Sequence, residues 1–257
     1  MRIYRIGING HHHFKPTAAC IGYFDGIHNG HKKLIAKALQ LSEMNNLESC
    51  VITFEPDPSE IYGKRKNRGH LLTYDMKYEM LSELGVDRVY AIQFDENISR
   101  MEPEMFIEYL NRLNTRELIC GFDFSFGYKG RGNAETLNDS KTRLFNVSVI
   151  DSVTFENRKI SSHDIAEIIL NGDVKTAAVL LGYPYRIRID LGQKTSEVKQ
   201  YIPADGIYTG TADGKECMIE IRDGKISIPE VMKNGIFIGK SVKKHYLTVV
   251  FNEHVII

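Results

Sequence analysis

The sequence lacks an excess of either charge: 33 Lys and Arg balance 33 Asp and Glu over 257 residues. Without a net field the chain has no long-range attraction for nucleic acid or a membrane surface, so an anionic ligand must be held by local geometry. Cysteine is scarce as well. Cys20, Cys50, Cys120 and Cys217 stand far apart with no paired spacing, which argues against a zinc or disulfide framework and suits a reducing compartment. They read as small buried hydrophobes. No apolar run approaches the roughly 18 to 20 residues of a membrane span, and no basic-then-apolar leader is visible. A soluble, cytoplasmic protein is expected, with neither nucleic acid nor membrane as partner. No internal repeat is evident, and the length suits two modest domains.

What is present from residue 17 to about 181 is an alternation of short β-rich runs with helical periods, the pattern of a parallel sheet covered by helices. Strands are predicted at 17–21, 49–54, 88–94, 117–120 and 147–150. His31, Leu34, Ile35, Ala38 and Leu39 recur at helical spacing, as do Met76, Met80, Leu81 and Leu84 before Gly85. Pro103 suits the first turn of a helix through Leu113, and Ser161 to Asp164 has the spacing of a helix N-cap. The expected fold is α/β, a Rossmann-like doubly wound sheet over residues 1–183. Beyond Pro184 come brief β-like runs at 185–189, 206–209, 217–221, 225–228 and 247–251, from which a smaller β-barrel-like domain, 184–257, is expected.

The strongest chemical signal is Gly22-Tyr23-Phe24-Asp25-Gly26-Ile27-His28-Asn29-Gly30-His31, a glycine-spaced turn leading from the first predicted strand into a helix. Amides at a helix N-terminus attract phosphate, and two histidines add donors where negative charge grows in a transition state. Gly22, Gly26 and Gly30 let a ligand approach the backbone. Taken alone, the spacing also suits an ordinary turn with surface histidines. Its place after the first strand of an open α/β sheet favours the ligand. A second glycine-rich loop, 121–132, carries Asp123, Phe124, Lys129 and Arg131. Asp123 is a candidate hydrogen-bonding group or a turn stabiliser, and the two cations are candidate phosphate contacts or the solvated tip of a hairpin. Phe54, Phe122, Phe124 and Phe126 suit either a planar ligand or core packing. His11-His12-His13 and the basic run 64–68 read as solvated loops rather than as a metal or steering site.

These residues carry a resemblance. Residues 28–31 match the His-x-Gly-His signature of the nucleotidylyltransferase superfamily, and 21–31 resemble the prokaryotic FAD synthetases. Thr53-Phe54-Glu55-Pro56-Asp57-Pro58 is similar to that family's Thr-Phe-x-Pro-His-Pro, with Asp57 in place of His. Gly121-Phe122-Asp123-Phe124-Ser125-Phe126-Gly127 resembles its nucleotide loop, and Ile160-Ser161-Ser162 the start of its Ile-Ser-Ser-Thr-x-Ile-Arg motif. His163 stands at the threonine and Ala166 at the phosphate-binding arginine. The resemblance implies transfer of AMP from ATP to FMN, giving FAD and pyrophosphate with Mg²⁺ bridging the phosphates. It implies His28 and His31 at the α-phosphate, Gly22, Phe24, Asp25, Gly26 and Gly30 around the nucleotide, and Ser161 and Ser162 on the triphosphate. Lys129 and Arg131 are the candidates to replace the missing arginine, and restoring it at position 166 is expected to tighten ATP binding.

Bifunctional members of that family continue into a riboflavin kinase barrel. Leu181-Gly182-Tyr183-Pro184-Tyr185 resembles the junction, but the kinase motif Gly-Phe-Pro-Thr-Ala-Asn is absent. The expectation is therefore an FMN adenylyltransferase without kinase activity, whose remaining barrel serves packing. The alternatives are a flavin- or nucleotide-binding regulator, or a nucleotidylyltransferase with another phosphorylated acceptor.

Overall fold

A computed structural model describes residues 1–9, 14–58, 69–156, 158–190, 198–229, 232–233, 236–237 and 246–255. The histidine run 11–13, the basic run 64–68, Thr195, Ser196 and Glu230 lie outside the described residues. The chain divides into two compact units. One comprises residues 1–24, 30–66 and 78–153; the other comprises 25–29, 67–77 and 154–257.

The first unit is built on a six-stranded sheet, parallel throughout, of β1 (Arg2–Ile6), β2 (Thr17–Ile21), β3 (Glu48–Glu55), β4 (Arg88–Gln93), β5 (Thr115–Gly121) and β6 (Asn146–Ile150). Their order is β1-β4-β3-β2-β5-β6. The helices between them are α1 (Asn29–Asn45), α2 (Tyr74–Glu83), α3 (Glu96–Ser99), α4 (Pro103–Arg112) and α5 (Ala134–Asp139). The central strands are apolar without alternation, as burial on both faces requires. Ala19, Ile21, Cys50, Ile52, Tyr90, Ile92, Leu118 and Cys120 join Phe106, Ile107 and Leu110 of α4 in one core. The intervening Ala18, Cys20, Val51, Val89, Ala91 and Ile119 are equally buried. Connections that run outward from β2 in opposite directions place their helices on opposite faces, because parallel crossovers are right-handed.

Strand β1 was not legible in the sequence. Arg-Ile-Tyr-Arg-Ile alternates in polarity and forms the outer edge of the sheet, where side chains are exposed in part. Helix α4 starts at Pro103, as expected, and ends where Asn114 takes a left-handed conformation (φ 59°). Three of the four cysteines, Cys20, Cys50 and Cys120, are buried within strands, and Cys217 is half-buried.

The second unit contains the short hairpin β7 (Thr154–Phe155) and β8 (Arg158–Lys159), then α6 (Ser162–Leu170) and α7 (Val174–Leu181), which pack together. It continues into β9 (Arg186–Asp190), β10 (Gly206–Ala212), β11 (Lys215–Arg222), β12 (Lys225–Ser227), the hairpin β13 (Met232–Lys233) and β14 (Ile236–Phe237), and β15 (Tyr246–Val255). Five of these strands make an antiparallel sheet in the order β12-β11-β10-β15-β9. Among the described residues this is a half-barrel, with every strand predicted beyond Pro184 present. Glu220 pairs with Arg222 along β11 at 2.9 Å.

Among the described residues of the first unit, one charge is buried. Arg88, 2% exposed, begins β4 with its guanidinium bonded to Glu48 and to the hydroxyl of Tyr90 (2.6 Å), and it lies about 5.5 Å from the ring centres of Tyr4, Phe14 and Tyr90. Arg2 (2.7 Å) and Lys15 (3.4 Å) approach the same carboxylate from solvent. Removing one partner of a buried pair strands the other charge. Glu48→Ala should therefore lower unfolding free energy by roughly 3 kcal/mol in urea titrations, whereas Arg2→Ala, at the exposed end, should change it little.

Candidate functional site

The strand order reverses direction at β2: β3 and β4 follow on one side, β5 and β6 on the other. An open parallel sheet receives ligands beyond the carboxyl ends of its strands at such a point. Gly22 follows β2 and Gly121 ends β5. Cys20 pairs with Ile119, so both glycine-rich loops leave the sheet at the same level. The Gly22 amide donates to the carbonyl of Ile52 (3.1 Å). Phe126 and Gly132 exchange two hydrogen bonds of 2.9 Å that close the second loop.

Within these loops the candidates separate. Asp123 is exposed, and half-buried Phe124 stacks on buried Phe126 with centroids 5.6 Å apart. Phe54 is also buried, beside Tyr23, Phe94 and Phe106. Exposed Lys129 lies over the Tyr128 ring (5.1 Å), while Arg131 covers the same ring and approaches Glu102 at 3.3 Å. That exposed pair is weak and yields readily to a stronger anion. Gly30 and His31 occupy the first turn of α1. The His31 ring sits 5.2 Å from the ring of Phe24, which has no exposed surface. Phe24 therefore supports His31, in place of the ligand contact expected from the motif.

The unit boundary passes through the motif, leaving Asp25 to Asn29 in the second unit. Phe24 (φ 54°), Gly26 (φ 79°) and Ile27 (φ 37°) all take positive φ. That is unstrained only for glycine and costly for β-branched Ile27. Asp25 is buried, and its Oδ1 accepts the amides of Leu71 (3.0 Å) and Leu72 (3.2 Å). Its carboxylate thus organises protein backbone, where the motif had suggested a nucleotide contact. A Cβ on Gly26 would come within 2.6 Å of the Leu71 side chain, so that position is closed to any larger residue.

Ser162 donates its hydroxyl to the Asp25 carbonyl (2.8 Å). Ser161 is the N-cap of α6, accepting from the Asp164 amide (3.2 Å) and donating to the Asp164 carboxylate (2.6 Å). Both hydroxyls expected on the triphosphate are engaged within the protein, and what α6 offers an anion is its amino-terminal backbone. His28 is 6% exposed. Burial pushes its imidazole down to about 4, and the positive charge of Lys159 adds to the effect. The ring is neutral at physiological pH, a donor and not a cation. Lys159 is exposed at the end of β8. It was missed in the sequence because nothing but its place before Ile160-Ser161-Ser162 marks it. His163 lies 3.3 Å from Glu167 on the surface of α6. Among the described residues no cluster of His, Cys, Asp or Glu is arranged to hold a metal ion.

A family model described as FAD synthetase matches residues 11–164. The chain belongs to the FAD synthetase family. Among curated relatives of this FAD synthetase family member is the bifunctional riboflavin kinase/FMN adenylyltransferase of Bacillus subtilis, 36% identical over 69% of this chain and 58% of that protein. The Listeria monocytogenes protein of the same name is 36% identical over 64% of this chain and 53% of its own length. That of Buchnera aphidicola from Schizaphis graminum is 33% identical over 77% and 67%. The chain thus spans little more than half the length of the first two. A solved structure of a macrolide-efflux protein from Streptococcus pneumoniae matches with a TM-score of 0.79, covering 98% of this chain and 91% of that one at 23% identity. At that identity the likeness is one of fold alone. No helix among the described residues is long and apolar enough to cross a membrane.

Two outcomes are expected. Ala166, at the position of the family's arginine, is 3% exposed on α6 beside buried Ile165 and Ile169. Ala166→Arg should cost roughly 2 kcal/mol through overpacking and charge burial. It should lower the melting temperature and leave ATP binding no tighter, contrary to the expectation from the motif. For His28, a folded-state value near 4 lies below the ordinary 6.5. Its protonation therefore favours the unfolded chain, and the associated stability is complete above pH 6.5 and lost as pH falls toward 4. The stability difference between the parent and His28→Gln should close by about 3 kcal/mol between pH 7 and pH 4; a constant difference in urea titrations would refute it.

Proposed function

We propose that the chain is an FMN adenylyltransferase: an FMN phosphate oxygen attacks the α-phosphorus of ATP, a P–O bond forms, and the bond to pyrophosphate breaks to give FAD. The observation that carries this reading is buried, neutral His28 beside Lys159, in a His-x-Gly-His turn that follows the strand at which the sheet order reverses. The names of the relatives support FMN as the acceptor. A phosphate monoester, with its second pKa near ~6, is already largely dianionic at neutral pH. The reaction needs no general base, only alignment and neutralisation of charge.

In this mechanism His28 and His31 donate N–H groups to the α-phosphate oxygens as charge develops, and neutral His28 does so without surrendering a proton. Lys159 and the amino-terminal amides of α6 draw the triphosphate tail. Lys129 and Arg131 add cations from the second loop. Gly22, Gly26 and Gly30 keep the backbone low, and Asp123 and Phe124 flank the nucleotide. A divalent ion such as Mg²⁺, when bound, would supply charge neutralisation at the phosphates of ATP. Residues 1–183 form the adenylyltransferase module and 184–257 a shortened kinase-like barrel without kinase activity, in a cytoplasmic protein.

Incubation with ATP, Mg²⁺ and either FMN or riboflavin, followed by chromatography, tests this. FAD and pyrophosphate should form from FMN alone and only with a divalent ion. His28→Ala and His31→Ala should each lower the rate by about 10² or more. Undiminished FAD formation in excess chelator, or a double variant as active as the parent, would overturn the mechanism. FMN made from riboflavin at a comparable rate would overturn the lack of kinase activity.

A further inference from the structure

Within the second unit, the turn at residues 25–28 is hydrogen-bonded from two sides. Gln200 is 3% exposed. Its Nε2 donates to the carbonyls of Leu71 and Arg186, both at 3.0 Å, and its Oε1 accepts the Arg188 amide at 2.8 Å. The segment around Leu71 is fixed further by two backbone bonds, His70 N–H to the Lys199 carbonyl (2.9 Å) and Tyr201 N–H to the His70 carbonyl (3.0 Å). A Cβ on Gly69 would stand 2.6 Å from the Gln200 backbone, so the close approach requires glycine. Leu71 and Leu72 in turn carry the Asp25 carboxylate. On the other side of the turn, the hydroxyl of Tyr183, just after α7, donates to the Gly26 carbonyl at 2.6 Å, beside the bond from Ser162 to the Asp25 carbonyl. Asn29 Nδ2 reaches the Val179 carbonyl (2.9 Å). A turn with positive φ at Gly26 and Ile27 persists only where its surroundings over-determine it.

We propose that Gln200 and Tyr183 are positioning residues for His28, so that the segment following α7 takes part in AMP transfer although it carries no kinase apparatus. Gln200 acts through Leu71 and the carboxylate of Asp25, Tyr183 through the carbonyl of Gly26. This rests on the adenylyltransferase reading, and it replaces the expectation that residues after Pro184 serve packing alone. A hydrogen-bonded chain from β9 to the turn gives the kinase-like remnant a catalytic reason to persist.

Two substitutions in the full chain test the proposal. Tyr183→Phe keeps the ring and removes one donor; Gln200→Met keeps the length and removes every polar contact. For each, kcat and KM for ATP are measured during FAD formation, and the titration of His28 is followed by NMR. Each should lower kcat about tenfold with KM for ATP changed less than about threefold, since small displacements of a reacting group cost rate before affinity. The His28 midpoint should rise from about 4 toward 6.5 as the turn loosens and admits water beside a ring that otherwise faces Lys159. Lys175→Ala, which cuts an exposed 2.5 Å pair with Glu253 in the same unit, should leave kcat and the His28 titration unchanged. Parental kcat and parental His28 titration in folded Tyr183→Phe would overturn the proposal, whether or not Gln200→Met folds. If no variant and no parent makes FAD, the adenylyltransferase reading fails, while a shifted His28 titration still upholds the positioning role.

Discussion

The carboxylate of Asp25, buried and bonded to the amides of Leu71 and Leu72, is the contact on which the candidate chemistry hangs. It joins a turn between β2 and α1 to a segment more than forty residues later, and that segment to Gln200. A buried carboxylate is costly unless hydrogen-bonded, and two backbone amides supply what it lacks. Two residues further on, Ile27 takes a conformation its branched side chain disfavours. Strain, burial and hydrogen bonding are therefore concentrated within four residues of His28, the usual signature of a position kept for function.

Electrostatics in this region depend on burial more than on charge. The chain has no net charge, and His28 is neutral because its surroundings exclude water and Lys159 opposes a second positive charge. In the proposed reaction, a neutral donor beside an exposed lysine would suit a phosphate whose charge increases at the transition state. Ala166, where the resemblance places an arginine, is buried on α6. With that helix face packed, there is no room for a long cation at 166.

The grouping of residues 25–29 and 67–77 with the carboxy-terminal sheet explains why linear motifs misassign some side chains. Phe24, Asp25 and Ser162 all fall inside motif segments, yet each serves the protein's own scaffold: Phe24 under His31, Asp25 on Leu71 and Leu72, Ser162 on the Asp25 carbonyl. A motif records which residues are needed together and does not separate those that face a ligand from those that hold the facing residues still.

Much of the architecture was determined by the sequence itself. Strands β2 to β5 are short runs bounded by glycine, proline and asparagine, rich enough in apolar residues to suit burial on two faces, and the proline and serine signals placed α4 and α6. The His-x-Gly-His turn was visible too, through its place after the first strand of an open α/β sheet. Strand β1 was hidden because an edge strand needs no strong apolar pattern. Only tertiary structure decided which polar residues work on the turn. Lys159 acts on His28 from a short hairpin, Gln200 holds the Leu71 carbonyl from a position with no local signal, and Tyr183, legible only as part of the junction, holds the Gly26 carbonyl. Hydrogen bonds across 129 and 157 positions of chain leave no trace in periodicity or spacing, because their partners are chosen by how the chain folds back and not by which residues are neighbours along it.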